Sequence, residues 1–470
     1  MEAAEHLGIV SIIPATVAIA LAFITRNTVF SLAVACFVGV LFAGQGLMGF
    51  PNLLKDSLGT TSFSWIFLLE LFIGILIAFF QRTGAIQNFT KIIDRRNLTR
   101  VKTQVLSWLL GMFVFFSDYF SPLFVGSTMR NVSDKAKISR EKLAYIADST
   151  SAPVSVMIPI SGWAVYISGL LIGLGSVSDQ SSAINVFVQS IPFNFYAILS
   201  VLFVGLLALR FIPEYGPMKE AERRAMEEGK VLRDGAEPLM GEELTNTPPY
   251  EGIKTNIFLN FFFPVAIVIS IAVGTFMAVQ SAKTMEAFLA AVVVLGIIMR
   301  IQGIPLQEIM KTATDGVKGI MPAVIILAFA YSLNHLSQQL GTASYIVSIT
   351  EGWMSASLLP LLTFLIAAVI SFSTGTSWGT FAIMIPLSVP MAFHFSGGEI
   401  STVVLATIAA VAGGGVFGDH CSPLSDTSIL ASTGAASDHI DHIRTQLPYA
   451  LTVACIAAIL YLAIGLIFIG

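Results

Sequence analysis

The chain has 470 residues, of which 55% are hydrophobic and only 11% charged. A charged share that low excludes an ordinary globular enzyme, in which about a quarter of the residues carry charge. The formal net charge of −4 offers no basic surface for nucleic acid, and the 3 cysteines lack the spacing of a disulfide framework or a zinc motif.

Apolar runs at 8–24, 30–50, 63–80, 105–116, 144–174, 191–212, 257–279, 287–299, 319–333, 356–395, 402–417 and 447–469 predict an all-α polytopic membrane protein. Most are long enough for a hydrocarbon core about 30 Å thick, at about 1.5 Å of rise per helical residue. The opening MEAAEHLGIV lacks a basic region and a cleavage pattern, so the first run reads as a retained span. Glu70, alone in the third run, is either a proton carrier or a structural partner of another helix.

Basic residues cluster at Arg26, from Lys91 to Lys102, across 130–142 and across 219–254, and the positive-inside rule places all four in the cytoplasm. The second and third clusters flank 105–129, whose ends therefore share one side. That stretch reads as a re-entrant hairpin with Ser117, Asp118, Ser121 and Pro122 near its tip, tolerable only inside protein or beside water. Next comes a helix break at Asp148-Ser149-Thr150-Ser151-Ala152-Pro153, because a proline removes a donor and clashes with the preceding turn.

Continuing the count puts both termini outside and completes five crossings in an N-terminal repeat, 1–212. A polar stretch, 213–255, is expected to be a solvated, partly helical cytosolic linker. The remainder, 256–470, repeats the plan: Phe116-Ser117 is echoed by Phe372-Ser373, and Pro153-Val154-Ser155 by Pro423-Leu424-Ser425. An odd number of crossings inverts the second copy, so its hairpin, 370–391, enters from outside. Two inverted repeats, each with a re-entrant hairpin and a broken helix, are a recurring transporter design.

The densest chemistry lies in GGGVFGDHCSPLSDTSILASTG, 413–434, where Asp419, His420 and Asp426 interrupt a segment otherwise suited to lipid. Charges at that depth cost about 2.5 to 3.5 kcal/mol each, so they are expected to face a compensated cavity. Asp118, Asp148, Asp419 and Asp426 share the four broken segments with no lysine or arginine. An anion site would want an arginine fork, whereas carboxylates, hydroxyls and freed carbonyls are hard ligands that suit sodium. Sodium is therefore placed at Asp419 and Asp426, and competition between sodium and a proton for one aspartate is the simplest coupling device. Helix capping is the structural alternative for Asp118, Asp148, Asp419 and Asp426. His420 is either a proton relay or a hydrogen-bonded structural residue. An intramembrane hydrolase using His420 lacks any accompanying nucleophile motif or metal-ligand spacing.

Phe417-Gly418-Asp419, Ser422-Pro423-x-Ser425-Asp426-Thr427 and Gly375-Thr376-Ser377-Trp378-Gly379-Thr380 resemble the NhaC family of sodium/proton antiporters. The resemblance implies a bacterial inner-membrane carrier, a homodimer with a scaffold and a mobile elevator domain, and sodium and protons as cargo with no resident cofactor. It makes Asp419, Ser422, Ser425, Asp426 and Thr427 candidate ion ligands. His420-Cys421 departs from the Lys-Met of antiporters in that family, and relatives with altered signatures are associated with malate and lactate exchange or amino-acid transport. Sodium/proton antiport is thus the expected activity. The alternative is sodium- or proton-coupled transport of a small carboxylate or amino acid, held by hydroxyls at Ser117, Ser121, Ser373, Thr374, Thr376 and Ser377.

Overall fold

The computed structural model describes residues 6–25, 27–94, 98–115, 118–159, 161–239, 248–279, 283–349 and 355–469. These residues are almost entirely helical, with no β-sheet among them beyond one isolated bridge between Pro238 and Asp438. Arg26, Arg95, Arg96 and Ser117 lie outside the described residues.

The first half contains α1 (Ile13–Thr25), α2 (Thr28–Phe42), α3 (Gly49–Leu58), α4 (Thr61–Arg82), α5 (Ala85–Asp94), α6 (Arg100–Phe113), α7 (Phe120–Lys135), α8 (Arg140–Ser149), α9 (Ala152–Ser155), α10 (Gly162–Leu171), α11 (Gln180–Ser190) and α12 (Phe195–Ala208). Polar residues set many of the starts: Asn27, Thr60, Thr99, Ser139 and Ser161 each accept a hydrogen bond from a backbone N–H of the first turn. A short α13 (Gly216–Arg223) follows. The second half contains α14 (Phe263–Val279), α15 (Thr284–Ile301), α16 (Leu306–Gln339), α17 (Thr342–Ser348), α18 (Leu359–Thr374), α19 (Ser377–Phe395), α20 (Thr402–Cys421), α21 (Asp426–Ala435) and α22 (His439–Ile469).

Among the described residues, 8 helices are long and apolar enough to cross a membrane, or 9 with the pair 180–193 and 195–208, bent by 49°, taken as one span. The chain is a multi-pass membrane protein. Shorter apolar helices at Thr28–Phe42, Gly162–Leu171 and Leu359–Thr374 account for predicted runs that fall below spanning length.

Both expected breaks are present. One helix stops at Ser149 and α9 restarts with Pro153 in its first turn; the other stops at Cys421 and α21 starts at Asp426, with Pro423 between them. The apolar run 356–395 is split at Gly375, whose φ of +69° suits glycine and whose added Cβ would stand 2.5 Å from the Leu424 carbonyl oxygen. The turn between α18 and α19 is thereby pressed against the second break.

Two large apolar clusters result. One gathers side chains of α2 to α5, α7, α8, α14 to α16 and α21, and the other those of α9 to α12, α18 to α20 and α22. Each therefore draws on both halves of the chain. Each broken helix passes from one cluster to the other at its break.

The polar stretch after Pro213 is docked rather than wholly solvated. Met218, Ala221 and Ala225 are buried, Lys142 pairs with Glu214 at 2.9 Å, Arg224 with Glu141 at 2.8 Å and Arg233 with Asp441 at 2.8 Å. Beyond the undescribed 240–247, the Tyr250 N–H donates to the Arg82 carbonyl at the end of α4. Of the charges that suggest solvation in sequence, Glu214, Glu222, Arg224 and Arg233 pair with side chains of α6, α8 and α22.

Candidate functional site

Asp419 is the centre of the second break. It is 2% exposed, and its carboxylate accepts hydrogen bonds from Ser377 Oγ at 2.9 Å and Ser425 Oγ at 2.6 Å. Ser377 opens α19 just after the Gly375 turn, and Ser425 immediately precedes α21, so three segments meet on one carboxylate. No lysine or arginine pairs with it among the described residues. Ser422 Oγ donates to the Phe372 carbonyl at 2.7 Å and fastens the same turn to the break. Thr427 Oγ1 lies 3.3 Å from the Asp419 carbonyl oxygen.

Asp426, at the start of α21, is half-buried and receives the Tyr119 hydroxyl at 3.3 Å and the Thr427 N–H at 2.9 Å. It reaches a half-open cavity of about 550 Å³, lined also by Trp65, Tyr166, Tyr331, Thr374, Thr376 and Trp378. Trp65, Tyr119 and Tyr331 belong to the first apolar cluster and Tyr166 and Trp378 to the second, so the cavity lies between them. Thr61, which begins α4, and Gln338, near the end of α16, also line it. It therefore opens at the end of these helices opposite Arg82 and Glu308, which pair at 2.9 Å on the linker side.

Asp148 is fully buried on the far side of α21. Its Oδ2 accepts from Ser428 Oγ at 3.0 Å and Gln446 Nε2 at 2.8 Å, with His442 Nε2 at 3.2 Å, while Oδ1 has no partner among the described residues. Ser428 Oγ is also 3.0 Å from the Asp419 carbonyl oxygen, so one hydroxyl joins the two aspartates. His420 points away from Asp419: Nε2 meets Ser149 Oγ and Nδ1 meets the Tyr196 hydroxyl, each at 2.8 Å.

The other sequence candidates are more dispersed. Asp118 accepts from Trp163 Nε1 at 3.0 Å. Ser121 Oγ donates to the Gly111 carbonyl at 3.4 Å and Thr374 Oγ1 to the Ile370 carbonyl at 2.8 Å, whereas Ser373 is half-buried beside the turn. Thr376 caps α19. Glu70 is fully buried with neither oxygen hydrogen-bonded among the described residues, within electrostatic reach of Asp426. Sequence reading missed Tyr119, Tyr331, Ser428, His442 and Gln446. His442 and Gln446 carried a signal, since polar side chains that open a long apolar run sit at membrane depth or at its edge.

Residues 163–466 match the family described as the Na+/H+ antiporter family. The chain is 34% identical to an uncharacterized protein of Haemophilus influenzae, over 98% of this chain and 91% of that one. It is 27% identical to the malate-2H(+)/Na(+)-lactate antiporter of Bacillus subtilis over 44% of this chain and 42% of the other. A third relative, an uncharacterized Na(+)/H(+) antiporter of Haemophilus influenzae, is 30% identical over 34% of this chain and 33% of its own length.

Proposed function

The chain belongs to the Na+/H+ antiporter family, and on that premise we propose that it exchanges sodium for protons across a bacterial inner membrane. The observation that carries this reading is the buried Asp419 carboxylate, held by two hydroxyls and unpaired with any cationic side chain among the described residues. Sodium is the cargo that suits it: a small hard cation satisfied by a carboxylate, hydroxyl oxygens and the carbonyls that the break at Pro423 releases. Asp426 completes the route to the cavity. A proton replaces sodium on the same carboxylate when the ion leaves, so each ion leaves as the other binds.

Alternating access in this reading comes from displacement of the cluster built on α9 to α12, α18 to α20 and α22 against the other. The boundary between them holds both the cavity and the breaks. The halves 1–212 and 256–470 act as inverted repeats joined by 213–255, with 105–129 and 370–391 as re-entrant hairpins and both termini outside. The apolar outer faces of α14 and α15 serve lipid contact and a homodimer. No resident cofactor is required.

A second reading, coupled transport of an organic solute, is favoured by the size of the cavity, since about 550 Å³ far exceeds the needs of one ion. The hairpin hydroxyls suit an organic carboxylate poorly, because Ser121, Thr374 and Ser377 have each already donated their single O–H. Proteoliposomes decide the matter: internal pH is followed after a sodium pulse with no organic solute present. A sodium-dependent pH change supports antiport, and strict dependence on an added solute refutes it.

A further inference from the structure

We propose that the cavity above Asp426 binds an organic ammonium ion, a cation carried on a small alkyl body. The inference rests on the reading of the Asp419 and Asp426 break as a transport site and adds to it the class of a second ligand.

Three observations converge. The walls are aromatic and come from separate elements: Trp65 on α4, Tyr119 before α7, Tyr166 on α10, Tyr331 on α16 and Trp378 on α19. They pack in contacting pairs, one from each apolar cluster, with Trp65 and Tyr119 rings centred 5.7 Å apart edge to face, and Tyr166 and Trp378 rings 4.8 Å apart. All but Tyr119 are half-buried, so ring surface is left facing the opening. At the inner end is the Asp426 carboxylate, and among the described residues no lysine, arginine or histidine lines the cavity. The volume, about 550 Å³, falls within the range of small-molecule sites.

The negative faces of Trp and Tyr rings attract a cation, most of all a weakly hydrated one such as an alkylated ammonium. Sodium keeps its water too tightly to exploit a ring wall of this kind. An organic anion would meet Asp426 with no positive group to offset it. The Tyr166 hydroxyl is turned out of the way, donating to the Trp378 carbonyl at 3.2 Å, which holds two of the rings in place. Asn334 and Gln338 at the mouth supply amides for whatever polar group the alkyl body carries.

The test is the thermal unfolding midpoint of the purified full-length protein, titrated with choline and n-butylammonium. Controls are 3,3-dimethylbutan-1-ol, the uncharged isostere of choline, and butyrate. Both ammonium ions are expected to raise the midpoint saturably and both controls to leave it unchanged. Trp378→Leu is expected to weaken the apparent affinity roughly 3- to 30-fold while Trp378→Phe retains most of it. Asp426→Asn is expected to abolish the response. An equal shift from the uncharged isostere, a shift from butyrate, or no ammonium response in a preparation that still gives sodium-driven pH changes in proteoliposomes overturns the inference and leaves antiport standing. An ammonium response in protein that lacks sodium-driven pH change supports the inference and overturns antiport instead.

Discussion

Ser377 donates to the Asp419 carboxylate across 2.9 Å, and this single bond ties the turn between α18 and α19 to the end of α20. The Gly375 turn and Ser422 hold the same junction from either side, so Ser377 is positioned by backbone as well as by its own contact. Hydrogen bonds to a charged group contribute about 1.5 to 3 kcal/mol. Ser377→Ala is therefore expected to raise the sodium concentration for half-maximal exchange about ten-fold or more, with Ser377→Thr close to wild type. An alanine variant with unchanged sodium dependence contradicts a ligand or positioning role for this hydroxyl.

The approach of α7 to α21 depends on two glycines. A Cβ on Gly126 would stand 2.3 Å from the Gly434 carbonyl carbon, and one on Gly434 would stand 2.5 Å from the Pro122 carbonyl oxygen. Backbone cannot yield as a side-chain tip can, so Gly126→Ala and Gly434→Ala should each cost about 1 to 3 kcal/mol or more. The expected readout is a lowered Tm in detergent together with lost exchange. Wild-type Tm in both variants contradicts the close crossing.

Lys142 is fully buried and among the described residues meets one carboxylate of the linker, Glu214, with its ammonium 5.5 Å from the Tyr145 ring centre and 5.6 Å from that of Tyr449. Removing one member of a buried pair costs about 3 to 5 kcal/mol, because the other charge is left behind. Glu214 is 22% exposed, which softens that figure for Lys142→Met. The double change Lys142→Met with Glu214→Gln should recover part of the lost Tm. Strictly additive losses in a double-mutant cycle contradict the coupling.

Asp148 is an acceptor for three donors at once: Ser428, His442 and Gln446. Asp148→Asn keeps a carbonyl oxygen for them and is expected to fold with a Tm near wild type, because the amide NH2 takes the place of the unpartnered Oδ1. Asp148→Leu strands His442 Nε2 and leaves Ser428 and Gln446 only the Asp419 and His420 carbonyls, so at about 1 to 3 kcal/mol for a stranded donor it should melt clearly lower. Equal stability of the two variants contradicts the network.

Much of this arrangement is legible in sequence because lipid leaves few options. Pro153, Pro423 and Gly375 mark the breaks, and aspartates without basic partners near them point to an enclosed polar site. Asp419, Ser425 and Ser377 meet as a consequence of that local chemistry. Long-range packing is not legible in the same way. His420 faces Ser149 and Tyr196 because helical geometry turns it away from its neighbour Asp419. Tyr331 looks like an ordinary apolar-run aromatic until α16 is brought beside Tyr119 and Asp426. The linker reads as solvated because its charges alternate, and only the folded chain supplies partners such as Glu141 and Asp441.

Equilibrium binding of radiolabelled sodium to the purified protein tests the central claim most directly, comparing wild type with Asp419→Asn at matched Tm. Saturable binding to the wild type and its loss in the variant are the results expected of a cation held at the second break. Undiminished sodium binding by a folded Asp419→Asn protein contradicts it.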